Sequence, residues 1–185
     1  MRIDVAGAVP ATLLEGAWKL YTEAFEELQW QAVQRHLMYR AEFDAVMADT
    51  RVDKYLAIDG EGVRGLATFT NDLDAVPLIS PLYFARRWPV HFAEKRVRYI
   101  GFVAVAAGSE GAFRRMITAM YEVAHRERAV VAMDFCRHRT EVNRIADVVG
   151  LIVRRLPAPL RGHRMDEQSY WLYEFPEDEL PEAAA

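Results

Sequence analysis

The stretch RYIGFVAVAAGSEGAFRRMI, from Arg98 to Ile117, constrains the fold more than any other part of the chain. The apolar run Val97 to Val105 reads as a strand, Gly108 and Gly111 mark a turn, and Phe113, Met116, Ile117, Met120 and Ala124 then recur on one face of a helix. A second apolar run, AVVAMDFC from Ala129 to Cys136, reads as another buried strand. Strand, helix and strand in this order predict a parallel pair around the helix that carries Gly111.

The remaining elements are helical or antiparallel. Ile3 to Val9 could open the sheet, and Leu14, Trp18, Tyr21, Phe25 and Leu28 then place an amphipathic helix in ATLLEGAWKLYTEAFEEL. A second helix is expected over Ala41 to Ala48, with Phe43 and Met47 four residues apart. In KYLAIDGEGVRGLATFTND, two strand-like runs flank Asp59-Gly60-Glu61-Gly62, a turn rich in residues that tolerate positive φ. Leu73 to Arg96 is a long connection in which PLYFARRWP predicts a short helix closed by Pro89. After Cys136 a helix is expected through Asn143, Ile145 and Val149 to Gly150, then a last strand, QSYWLYEF. Residues 176–185 read as an acidic tail expected to fray. This order predicts an α/β fold with a mixed, mostly antiparallel sheet flanked by helices. At 185 residues and 52% hydrophobic, the chain suffices for one domain with a full core, spanning 1–185.

Charge and cysteine content narrow the function. With 27% charged residues and a net charge of -4, the chain gives no support for nucleic-acid or membrane-surface binding. One cysteine, Cys136, excludes an internal disulfide framework and a cysteine-rich zinc site, and no metal is expected. No apolar run approaches the length of a membrane span, and the opening residues lack a secretory pattern, so a cytoplasmic location is the expectation.

Taken in order, these elements resemble the GNAT superfamily of acyl-CoA-dependent N-acyltransferases from about Ala11 to Phe175. Phe102-Val103-Ala104-Val105 is similar to the family's fourth strand, and Gly111-Ala112-Phe113 with Met116-Ile117 to the last glycine of its pyrophosphate loop and the helix that follows. EVNRIADVVGL is similar to a later helix in which an asparagine precedes a closing glycine, and DEQSYWLY to the final strand. The resemblance implies a single GNAT-like domain whose parallel strands splay apart at one end. It implies acetyl-CoA or another acyl-CoA as co-substrate, held along the backbone of Val103 and Val105 and by Gly108, Ser109, Gly111 and Ala112. Arg114 would add positive charge, and Asn143 would hold the coenzyme's amide region. The loop departs from the family's pattern. Ser109 stands at a motif glycine, Gly108 where a basic or amide residue is common, and Glu110 adds a negative charge. The family's tyrosine acid is replaced by Val148 or Val149. Main-chain amides and the helix dipole, which do not depend on side chains, would still bind an anion there.

Acyl transfer to an amine needs a proton acceptor, donors for the oxyanion and a proton route to the leaving thiolate. The resemblance places this chemistry at the strand splay, which Tyr99, Asp134, Cys136 and His138 would face if the fifth strand continues that far. His138 fits a base or an exposed loop histidine, and Asp134 a base or a structural hydrogen-bond partner. Tyr99 fits an acid or an oxyanion donor, and Cys136 a nucleophile or a small buried apolar residue. Tyr83, Phe84, Trp88 and Phe92 would line an acceptor pocket or anchor the long connection. Arg154, Arg155, Arg161, His163 and Arg164 make the C-terminal region basic, which suits an anionic acceptor, the CoA phosphates or plain solvation. The expected activity is acyl transfer, most simply acetyl transfer, to the amine of a small molecule. The competing readings are a non-catalytic ligand- or partner-binding domain of the same fold and another CoA-thioester reaction. A homodimer is left open.

Overall fold

The computed structural model describes residues 1–60, 62–156 and 161–174. Its centre is a five-stranded sheet in sequential order: β1 (Arg2–Ala6), β2 (Asp53–Asp59), β3 (Gly62–Thr70), β4 (Val97–Val105) and β5 (Val130–Met133). The first three pairings are antiparallel and β4 with β5 is parallel, so the expected mixed sheet is present. One face is covered by α1 (Ala11–Phe25) and α3 (Arg40–Ala48), with the short α2 (Leu28–Gln31) between them. The other is covered by α6 (Glu110–Glu127) and α8 (Ile145–Val153). With both faces covered, β2 is buried from Lys54 to Ile58.

α6 forms because its apolar residues recur at helical spacing, and it buries Ala112, Met116, Ile117, Met120, Tyr121 and Ala124. Burial of Met116, Ile117 and Met120 contributes roughly 1.5–3 kcal/mol for each side chain. The helix lies directly on the β3 backbone, since a Cβ at Gly65 would fall 2.7 Å from Met116 Cε and 3.2 Å from Ala112 Cβ. At its far end, Arg98 of β4 is 8% exposed and donates through Nε and Nη2 to the Glu127 carboxylate at 2.6 Å each. Asp53 stands 3.7 Å from the same guanidinium, which lies over the Phe69 ring.

β4 contains a bulge that the apolar pattern did not reveal. Ala67 faces Val103 and Phe69 faces Ile100, so Gly101 and Phe102 together oppose Thr68. Thr68 Oγ1 accepts from the Phe102 amide at 3.2 Å, and a Cβ at Gly101 would lie 2.8 Å from that oxygen, which explains the glycine. The extra residue switches the alternation of side chains. Ile100, Val103 and Val105 pack with α6, whereas Phe102 and Ala104 face α1.

Several expectations are corrected. β5 ends at Met133, so Asp134, Cys136 and His138 do not share a strand face; Cys136 caps α7 (Arg137–Glu141), and His138 lies inside that helix. Thr140 completes the switch from strand to helix by donating through both its amide and Oγ1 to the Cys136 carbonyl. Pro89 opens α5 (Pro89–Ala93) rather than only closing α4 (Pro81–Arg87). α8 continues through Gly150 because Val149 and Val153, one turn apart, both bury. QSYWLY carries no strand: Tyr170, Trp171, Leu172 and Tyr173 are exposed and, over residues 168–174, pair with nothing in the sheet. Four consecutive apolar residues have strand propensity, but a strand also needs a partner edge, and propensity does not supply one. Phe175 and the acidic tail lie outside the described residues. Among the described residues, no helix is long and apolar enough to cross a membrane.

Candidate active site

The parallel pairing runs from Val97–Val130 to Ile100–Met133 and stops, while β4 continues to Val105. Among the described residues, no strand occupies the β5 side of Gly101–Val105, so the opening expected from two diverging strands is made instead by the end of β5. Val103 and Val105 belong to the open segment, with side chains packed toward α6 and backbone paired only to Ala67 and Gly65 of β3.

The turn after β4 leads straight into α6. Gly108 adopts φ +72°, a conformation that favours glycine, and the Ser109 amide donates back to the Ala106 carbonyl at 3.0 Å. The Ala112 amide is committed to the Ser109 carbonyl at 2.7 Å, and the Ala112 side chain is buried against β3. Ala112 is therefore part of the helix's own first turn rather than a free donor. By contrast, among the described residues the amides of Ala107, Gly108, Glu110 and Gly111 have no backbone or side-chain acceptor. They stand at the positive end of an 18-residue helix, where an anion is stabilised both by hydrogen bonds and by the dipole. Gly111 is exposed and has no left-handed φ; a Cβ there would meet only Met1 Cε, at an ordinary 3.8 Å. Glu110, Arg114 and Arg115 are exposed around the turn, and Arg115 Nη1 donates to the Met1 carbonyl at 3.1 Å.

Below the bulge, the Tyr99 hydroxyl donates to Asp134 Oδ1 at 2.5 Å. Tyr99 is 3% exposed, in a cluster with Leu73, Phe84, Val97 and Ala132. Burial, then the Asp134 charge and the bond to it, push the Tyr99 phenol well above the usual tyrosine range. It is thus a fixed donor to Asp134, not a group that releases a proton near neutrality. Asp134 itself is exposed just past the end of β5. The structure brings Tyr99 and Asp134 together. Asn143 lies in the turn before α8, where Oδ1 accepts from Arg139 Nη1 at 3.3 Å. Among the described residues no group of three or more His, Cys, Asp or Glu is arranged to hold a metal.

Sequence reasoning missed His36. It lies in the connection between α2 and α3, and the Tyr21 hydroxyl of α1 donates to its carbonyl at 2.8 Å while accepting from the Met38 amide at 3.1 Å. Tyr21 also packs on Phe102 at the bulge, ring centres 5.0 Å apart, so the connection is tied across β4. Glu42 of α3 braces it by accepting from Arg35 of the connection through bonds of 2.6 and 2.7 Å. His36 Nε2 is buried and, among the described residues, has no hydrogen-bond partner. Burial holds the imidazole below the ordinary histidine range; Asp134 opposes this, and Arg139 reinforces it. Arg139 reaches α1 from α7, donating through Nη2 to the Ala24 carbonyl at 3.2 Å. No local signal marks a lone histidine between two helices.

Because the folded pKa is lowered, neutral His36 fits the packed connection and protonation does not. Its contribution is complete above the ordinary value of about 6.5 and is lost as the pH falls from there toward the depressed value. His36→Gln is expected to flatten the dependence of Tm on pH between about 7 and 5 relative to the unsubstituted chain, as read by thermal unfolding. Parallel curves for the two proteins would refute this assignment.

No protein-family model matches the chain, and no curated protein matches its sequence. Solved structures match over most of it. A mutant form of the BH1408 protein from Bacillus halodurans is 12% identical, with a TM-score of 0.54 over 93% of this chain and 100% of that one. An aminoglycoside acetyltransferase from an uncultured soil metagenomic sample, in complex with trehalose, is 12% identical, with a TM-score of 0.51 over 91% and 96%. AAC(6')-Iy in complex with the bisubstrate analog CoA-S-monomethyl-acetylneamine is 14% identical, with a TM-score of 0.50 over 90% and 99%. At these identities the likeness is one of fold.

Proposed function

Starting from the GNAT-type acetyltransferase fold, we propose that this chain is an acyl-CoA-dependent N-acyltransferase that acts as one domain on the amine of a small molecule. The observation that carries the reading is the set of unpartnered amides at Ala107, Gly108, Glu110 and Gly111, at the start of α6 and beside the open edge of β4. A diphosphate would bind these amides, and an extended pantetheine arm would lie along the side of Gly101–Val105 that faces no strand. The thioester carbonyl then falls near the bulge. The amine nitrogen attacks the carbonyl carbon, the C–S bond breaks from the tetrahedral adduct, and the proton lost by nitrogen leaves to an acceptor. We assign the acceptor as Asp134, acting directly or through water and oriented by Tyr99. The thiolate takes its proton from solvent, since Val148 and Val149 offer none. Arg114 adds charge near the diphosphate. Glu110, exposed in the same turn, favours the second reading, a binding domain of this fold without catalysis.

Asp134→Asn is expected to lower kcat by about 10²–10⁴-fold with little change in acetyl-CoA affinity. Tyr99→Phe should cost less, because the carboxylate remains. Steady-state kinetics with an acceptor found by screening amines, alongside calorimetry with acetyl-CoA, checks both. Full turnover in Asp134→Asn would remove Asp134 from the mechanism. No binding of any acyl-CoA by the unsubstituted chain would leave the non-catalytic reading.

A further inference from the structure

A cleft opens beside the Tyr99 cluster, between α4 and the C-terminal segment. It holds about 250 Å³ and is lined by Tyr83, Arg87, Trp88, His163, Arg164 and Met165. Tyr83, Trp88 and Met165 pack against the same buried cluster as Tyr99, so the cleft and the acid–phenol pair share one apolar floor. Trp88 stacks on Phe84 with ring centres 5.8 Å apart, and Tyr83 stands edge-on to Phe84, giving the cleft fixed aromatic walls. Arg87 and Arg164 supply its charged groups, and among the described residues no carboxylate lines the space. Arg87 lies over the Tyr83 ring, and among the described residues it has no carboxylate partner. Arg164 pairs with Glu167 at 2.8 Å, but both side chains are largely exposed, so a ligand anion can compete at little cost.

We propose that this cleft binds a small ligand that joins an anionic group to a flat apolar body, with Arg87 and Arg164 holding the anion and Tyr83 and Trp88 the body. The volume is below that of sites for drug-sized molecules, which limits the ligand to a single ring or its equivalent. Guanidinium groups donate to carboxylate and phosphate alike, so the shared chemistry is an oxyanion. The acceptor amine would then be an acidic one, unlike a polycationic aminoglycoside. The cleft's role as the acceptor's anchor rests on the acyl-transfer reading above; its affinity for an anion does not.

Calorimetric titration of the full chain with 4-aminobenzoate, phenyl phosphate, neutral 4-aminobenzamide and a polycationic aminoglycoside decides the matter. One of the two anions is expected to bind at least tenfold more tightly than the amide, and the tighter one identifies carboxylate or phosphate. Arg87→Gln and Arg164→Gln, both at exposed positions, should each weaken it by about fivefold to tenfold. Equal affinity for 4-aminobenzoate and its amide with no binding of phenyl phosphate, preference for the aminoglycoside, or unchanged anion affinity in the double variant would overturn the assignment. Acetyl-CoA titrated into the same proteins separates the claims. If the chain does not bind acetyl-CoA, acyl transfer fails, while the anion site is still decided by the first titration.

Discussion

Gly111→Val is expected to weaken acetyl-CoA binding by at least a hundredfold while leaving Tm within a few degrees of the unsubstituted chain. The expectation follows from where the side chain would go. A Cβ at Gly111 meets only Met1 Cε at 3.8 Å, and the residue has no left-handed φ, so the fold accommodates it. The valine would nevertheless stand among the unpartnered amides that open α6, holding a diphosphate off by more than a hydrogen-bond length. Losing two or more charge-assisted bonds, at roughly 1.5–3 kcal/mol each, removes at least a hundredfold in affinity. Calorimetry with acetyl-CoA and thermal unfolding of the same sample provide both readouts. Tight binding by Gly111→Val would place the coenzyme elsewhere. A collapse in Tm would show that the glycine serves the fold rather than the ligand.

Glu127→Ala is expected to destabilise the chain by about 2–3 kcal/mol, lowering Tm by roughly 5–10 °C. Arg98 is almost fully buried, and Glu127 is its bidentate partner; without it, a guanidinium remains desolvated with only Asp53, 3.7 Å away, to offset its charge. The figure lies below that for a fully buried pair because the Glu127 side chain is about one-third exposed. Denaturant and thermal unfolding measure it, and a loss below about 0.5 kcal/mol would mean that Asp53 and water suffice. The pair fastens the C-terminal end of α6 to β4 while Gly65 and Met116 seat its N-terminal half, so the axis that aims the free amides is held at both ends.

The chain's local chemistry determined the elements that carry the reading. An apolar run, a glycine turn and a helical stripe are each written in consecutive residues, and Val97–Val105 and α6 follow from them directly. The hairpin around Gly60, which adopts φ +59°, was legible for the same reason. Tertiary structure decided what depends on neighbours distant in sequence. The bulge at Gly101 and Phe102 exists because β4 must pair with Thr68, and no pattern of apolar residues encodes that register. β5 ends at Met133 although β4 runs on to Val105, and this end moved His138 off the strand and onto α7. Tyr99 and Asp134, 35 residues apart, became a pair only through the parallel ladder that ends one residue before Asp134. His36 reached its half-buried position because Tyr21, fifteen residues earlier, holds its carbonyl. Local propensity acts over a few residues, whereas a site needs side chains from several elements at hydrogen-bond distance, and only the packed sheet sets those distances.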